Sequence, residues 1–202
     1  AIPRKIAVGS MDDVLYVSLS NGTMAVIVRE EGITRIRDVV QIGGSPYALS
    51  VSSTGIWISD LESKAVHFYR ADDLQLSQTF FSGDGVWDMC VSDTHLWTAN
   101  SYDNTVSKIN IVSGAIDTIK VESIPNHIEV DSDGNICVSH YGSKTVVRLN
   151  PTTNVRLSTT ILDYAPPAYM RRENEFLYVA EFHVAQIETQ KKVGALTPLI
   201  LT

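Results

Sequence analysis

The residue types best suited to proton transfer or metal ligation in this 202-residue chain are His127, His140, Glu181 and His183. A histidine exchanges a proton near neutral pH, and a carboxylate beside it can hold a divalent ion that polarises a substrate. A second group comprises Tyr47, Asp60, Trp87, Asp88, Asn100, Tyr102, Asn126 and Tyr141. Aromatic surfaces mixed with a few polar groups are the usual lining of a binding site, because the first supply burial and the second fix orientation. No nucleophile elbow, Walker loop, dinucleotide fingerprint or zinc-spaced Cys/His cluster is present. The motifs therefore favour no catalytic class, and neither a cofactor nor a metal is expected.

These residues are positioned by a repeat. Residues 125–161 read as four short β-strands, 127–130, 136–139, 145–149 and 156–161, separated by the turns DSDG, HYGSK and NPTTN. Alternating apolar residues bounded by Asp-Gly, Gly-Ser and Asn-Pro are hairpin signals, since such residues accept the backbone angles of tight reversals. The second strand of the unit recurs as LYVSL from Leu15, IWISD from Ile56, LWTAN from Leu96, ICVSH from Ile136 and LYVAE from Leu177, at offsets of 41, 40, 40 and 41. A period near 40 with four strands per period predicts an all-β, five-bladed β-propeller of four antiparallel strands per blade.

The blades fall at about 2–42, 45–82, 86–122, 125–162 and 166–202, within a single domain spanning 1–202. The last unit is the least regular, with VAQIET and ALTPLI as its third and fourth strands and Pro198 inside the latter. Because each unit holds four strands, no blade shared between the chain ends is expected. Residues 2–8 are instead expected to meet the fifth blade through side chains.

Composition narrows the partners. A net charge of −7, with Lys and Arg scattered, offers no basic stripe for nucleic acid. No apolar run approaches the roughly 20 residues of a membrane span. The N-terminus lacks an apolar leader stretch, so a cytoplasmic or virion-associated setting is the expectation. Cys90 and Cys137 fall inside strands and are expected as buried thiols. Asn21-Gly22-Thr23 and the calcium-loop-like run 131–135 both read as hairpin turns.

In an antiparallel sheet the start of the first strand lies beside the end of the second. One face of the ring should therefore gather Tyr47, Trp87, Asp88, Asn126 and His127 with Asp60, Asn100, Tyr102, His140, Tyr141 and Glu181. Trp57, Trp97, Tyr16 and Tyr178 share one repeat column and are expected to pack between blades. Asp60, Asn100, His140 and Glu181 share another, which suggests that each hydrogen-bonds the turn that follows it. Trp87 lies outside the aromatic column, where core packing and ligand stacking are both open.

The pattern P-x-x-I-x-V-D-x-D-G-x-I-x-V-S, followed by T-V-x-R-L-N-P-T-T, resembles the blade repeat of the NHL, YVTN and streptogramin-lyase group of propellers. That group usually has six or seven blades, so the resemblance leaves open a small ring of five or an arc closed by another chain. It implies scaffold, sensor and enzyme roles alike. The leading expectation is a non-catalytic scaffold that binds a protein or glycan, a role that suits a subunit of a larger particle such as a virion or phage tail. A lectin-like reading stacks sugars on Trp87, Tyr47 and Tyr102 beside Asp60 and Asn100. A lyase-like reading, implied by the resemblance, places magnesium and proton transfer on His127, His140, Glu181 and His183.

Overall fold

A computed structural model describes residues 1–9, 13–92, 94–163, 165–181 and, as backbone, 196–199. The described residues contain strands and turns and no helix. The first sheet holds β1 (Pro3–Val8), β2 (Val14–Leu19), β3 (Thr23–Glu30) and β4 (Ile33–Gln41). The second holds β5 (Pro46–Ser52), β6 (Gly55–Asp60), β7 (Ala65–Arg70) and β8 (Leu76–Phe81). The third holds β9 (Val86–Ser92), β10 (His95–Asn100), β11 (Thr105–Asn110) and β12 (Ile116–Lys120). The fourth holds β13 (Pro125–Val130), β14 (Ile136–His140), β15 (Thr145–Leu149) and β16 (Arg156–Ile161). A fifth, partial sheet holds β17 (Pro167–Glu173), β18 (Phe176–Glu181) and β19 (Leu196–Leu199).

Within each sheet the strands follow in chain order, each antiparallel to the next, as hairpin connections dictate. Four complete blades and part of a fifth are thus observed. β19 pairs directly with β18, Ala180 opposite Leu196. The stretch expected as a fourth strand therefore stands in third place, and VAQIET (184–189) lies outside the described residues. The first sheet is built from residues 3–41, and among the described residues no strand from the chain end joins it.

One sheet buries one face against its predecessor and the other against its successor. Tyr16, Met24, Val26 and Val28 of the first blade meet Leu49, Ile56, Ile58 and Tyr69 of the second. Trp57 and Val66 meet Val86, Met89 and Leu96 across the next interface. Trp97, Ala99 and Val106 meet Ile128, Val138 and Val147, and Cys137 and Val146 meet Met170, Leu177 and Val179. Both cysteines are free and buried. The second-strand column thus delivers Tyr16, Trp57, Trp97 and Cys137 in turn into the following blade. Tyr178 departs from that expectation: it is half-buried beside Phe176 and belongs to no core cluster, because no described blade follows its face.

The opposite end of the array is open as well. Ile6, Val8, Ile36 and Val39 lie on one face of the first sheet and are each more than half exposed (59%, 65%, 61% and 55%). Of the expected side-chain packing of residues 2–8 on the fifth blade, one contact is seen among the described residues. The Lys5 ammonium lies 5.7 Å from the Tyr169 ring centroid across the channel, while Ile6 and Val8 remain uncovered.

Candidate functional site

The five innermost strands share a local irregularity at their starts. Pro3 pairs with Leu19 and Lys5 with Ser18, leaving Arg4 unpaired. Val86 pairs with Asn100 and Asp88 with Ala99, leaving Trp87 unpaired. Asn126 and Ala168 are skipped in the same way in the fourth and fifth sheets, and in the second Tyr47 and Ala48 together face Ser59 alone. A bulge adds one residue to one strand and re-aims its side chain. Here each blade contributes one such residue to the same rim: Arg4, Tyr47, Trp87, Asn126 and Ala168 all line one cavity of about 830 Å3 at the channel mouth.

The residues just beyond the second strands complete the rim. Ser101 and Tyr141 donate backbone N–H bonds to Gly85 O and Ile124 O, both at 2.8 Å, extending the pairing to the mouth. Tyr102 and Tyr141 line the cavity and are 62% and 43% exposed. Gly85 has φ +70°, and a Cβ there would come within 2.7 Å of the Tyr102 ring. The glycine permits both the turn and the close seating of that ring. Tyr47 and Trp87 lie 5.5 Å apart by ring centroids, and the Arg4 guanidinium carbon lies 5.6 Å from the Tyr47 centroid. The buried indole N–H of Trp87 has no acceptor among the described residues.

Beneath the rim, the next residue of each inner strand forms a second layer that ties the blades across the axis. Lys5 of the first blade pairs with Asp88 of the third at 2.8 Å. His127 of the fourth places Nδ1 3.2 Å from the other Asp88 oxygen and Nε2 2.8 Å from Ala168 O of the fifth. Burial raises the Asp88 pKa, but the His127 hydrogen bond and the Lys5 charge outweigh it and hold the carboxyl below the usual range. Asp88 also accepts the N–H of Ile128 at 3.3 Å. Both nitrogens of His127 are thus engaged, and its ring meets Tyr169 edge-on at 5.2 Å.

Of the column expected to hydrogen-bond the following turn, Asp60 is seen to do so; Asn100 and His140 bond strand residues of their own sheets, and Glu181 bonds the crossing that precedes its blade. Asp60 accepts the N–H groups of Ser45 (2.7 Å) and Glu62 (3.1 Å) and the hydroxyl of Ser63 (2.6 Å). Asn100, fully buried, donates to Thr105 and Ser107 and accepts from Thr98. Glu181 accepts the N–H of Ala165 at 2.8 Å. His140 is enclosed: Thr145 Oγ1 lies 3.4 Å from its Nδ1 and Glu122 Oε2 lies 3.6 Å from its Nε2. Burial pushes its pKa down to about 4, against the pull of Glu122. Asp131 caps its hairpin through the N–H groups of Asp133 and Asn135, and Arg148 neutralises it.

The structure therefore gathers Tyr47, Trp87, Tyr102, Asn126, His127 and Tyr141 around one cavity. Asp60, Asn100, His140 and Glu181 stand behind it as supports, and Asp88 lies deeper in the channel. His127, His140 and Glu181 are each committed to a different neighbour. His183, the remaining member of the lyase-like set, lies outside the described residues. Sequence reasoning missed Arg4, Lys5, Ile124 and Tyr169, all of which line the cavity. The signal was available for three of them, because Arg4 shares the repeat column of Tyr47 and Trp87, and Lys5 and Tyr169 share that of Asp88 and His127.

No protein-family model and no curated protein matches the sequence. Solved structures do match. A catalytically inactive virginiamycin B lyase from Staphylococcus aureus with quinupristin superposes with a TM-score of 0.74 at 18% identity, over 89% of this chain and 62% of that one. Hydrazine synthase of Kuenenia stuttgartiensis gives 0.78 at 14% identity, over 98% and 65%. The Pan2 WD40 domain of Neurospora crassa gives 0.75 at 15%, over 96% and 60%. The fold is that of a β-propeller. The chain spans about three fifths of the length of these structures.

Proposed function

We propose that this chain is a non-catalytic propeller module that binds a protein partner through the cavity at the mouth of its channel. The observation that carries the reading is the shared bulge, which delivers one side chain per blade to a single aromatic rim. A cavity of about 830 Å3 falls within the range of ligand sites. Tyrosine, tryptophan and arginine are the residues that most often anchor interfaces. The lectin-like alternative loses its polar partners, because Asp60 spends its hydrogen bonds on the crossing before its blade and the turn after its strand, and Asn100 spends its own on β10 and β11. The lyase-like alternative loses its free base, because His127 is bonded at both nitrogens.

The test is selection of random eight-residue peptides displayed on phage against the immobilised protein, with every enriched clone re-assayed on Trp87→Ala. The expected result is a peptide family that binds the native chain and not the variant. Enrichment of nothing, or of clones indifferent to Trp87, would contradict the proposal. So would glycan-array binding that Trp87→Ala abolishes while no peptide binds.

A further inference from the structure

The rim is chemically lopsided. On the first three blades Arg4, Tyr47 and Trp87 form a continuous ladder of cation, ring and ring, spaced 5.6 and 5.5 Å. On the last two the equivalent residues, Asn126 and Ala168, are short. The Asn126 amide is also committed, donating to Pro167 O at 2.8 Å and accepting from Ser139 at 3.0 Å. The low side leaves room for a guest side chain to lie against the rings of the high side.

Charge at the rim is equally uneven. Lys5 is neutralised by Asp88. Arg4, the neighbouring cation, is exposed and makes no ion pair among the described residues; its guanidinium lies over the Tyr47 ring. A guanidinium held over an aromatic face keeps its N–H edge available, and that edge matches a carboxylate with two parallel hydrogen bonds. One uncommitted cation at the rim, on a chain of net charge −7, suits a single carboxylate and opposes a polyanion.

Resting on the partner-binding reading above, we infer that the cavity selects a peptide segment in which an aromatic or large aliphatic residue adjoins an Asp or Glu. The apolar side chain seats over Asn126 and Ala168 against Trp87 and Tyr47, and the carboxylate pairs with Arg4.

The probes are fluorescein-labelled synthetic copies of the peptides enriched on the native protein, each paired with a copy in which Asp or Glu becomes Asn or Gln. Fluorescence polarisation is read against the native chain, Arg4→Gln, Arg4→Lys and Trp87→Ala, with melting curves to confirm folding. Enriched peptides should carry the acidic neighbour. The amide copies should bind the native chain about tenfold more weakly, the value of one charged hydrogen-bonded contact. Arg4→Gln should erase that difference, and Arg4→Lys should restore part of it.

Peptides that lack an acidic bias, or that lose nothing as amides, yet still depend on Trp87, would overturn this inference and leave the partner-binding reading standing. Peptides indifferent to both Arg4 and Trp87, or no enriched peptides at all, would overturn both.

Discussion

His140 illustrates how a side chain chosen for its chemistry can serve the fold instead. It is fully buried, and burial lowers its pKa to about 4. The unfolded chain, with an ordinary histidine near 6.5, binds the proton first as pH falls. Stability from the neutral ring is therefore complete above about pH 6.5 and is lost progressively down to about pH 4, amounting to about 3 kcal/mol. Urea unfolding at pH 7.5 and pH 4.5 should show this loss in the native protein and a smaller one in His140→Gln. Equal losses in both would mean that His140 titrates normally. His127 carries the opposite lesson. Its position at a strand start was legible in the repeat, but the burial and bonding that commit both nitrogens come from Asp88 and Ala168, on other blades.

At the scale of elements, strands and their order were legible because alternation, turn residues and a near-constant offset all point to the same structure. The bulge was not, since it depends on which residue of one strand faces which of the next, and periodicity alone does not fix a one-residue shift. That shift is what aims Arg4, Tyr47 and Trp87 at one rim, although the repeat column they share was readable. The turn column was legible at Asp60, which bonds the turn after it, and not at Asn100, whose partners lie on its own strand and the next; both were also offered as sugar partners, a role their hydrogen bonds leave no room for. Gly85 tests the fit between the crossing segment and the rim. Gly85→Ala places a Cβ at positive φ and against the Tyr102 ring, and should cost about 1–2 kcal/mol in denaturant unfolding. Rim binding should weaken with it. Native stability and binding in this variant would show that the crossing tolerates a different path.

For the whole molecule, the first of the described blades carries an outward face of exposed apolar residues. Ile36 and Val39 at one end contrast with Val26, on the covered face of the same sheet and fully buried. Val39→Lys should change stability by less than about 1 kcal/mol, whereas Val26→Lys should unfold the protein or cost several kcal/mol, because it buries an unpaired charge. A large loss in Val39→Lys would mean that this face is covered in solution. The same contrast, between a ring residue and a core residue of one type, tests the central claim. Trp87 sits on a bulge at the mouth, and Trp97 lies fully buried between two blades. The deciding measurement is peptide affinity per folded molecule together with the melting temperature for Trp87→Ala and Trp97→Ala. We predict that Trp87→Ala melts close to the native protein and binds about 30-fold more weakly, as loss of an anchor worth about 2 kcal/mol requires. Trp97→Ala should lose about 3–5 kcal/mol of stability. If Trp87→Ala instead unfolds the chain and leaves affinity per folded molecule intact, Trp87 belongs to the core and the mouth is not the binding site.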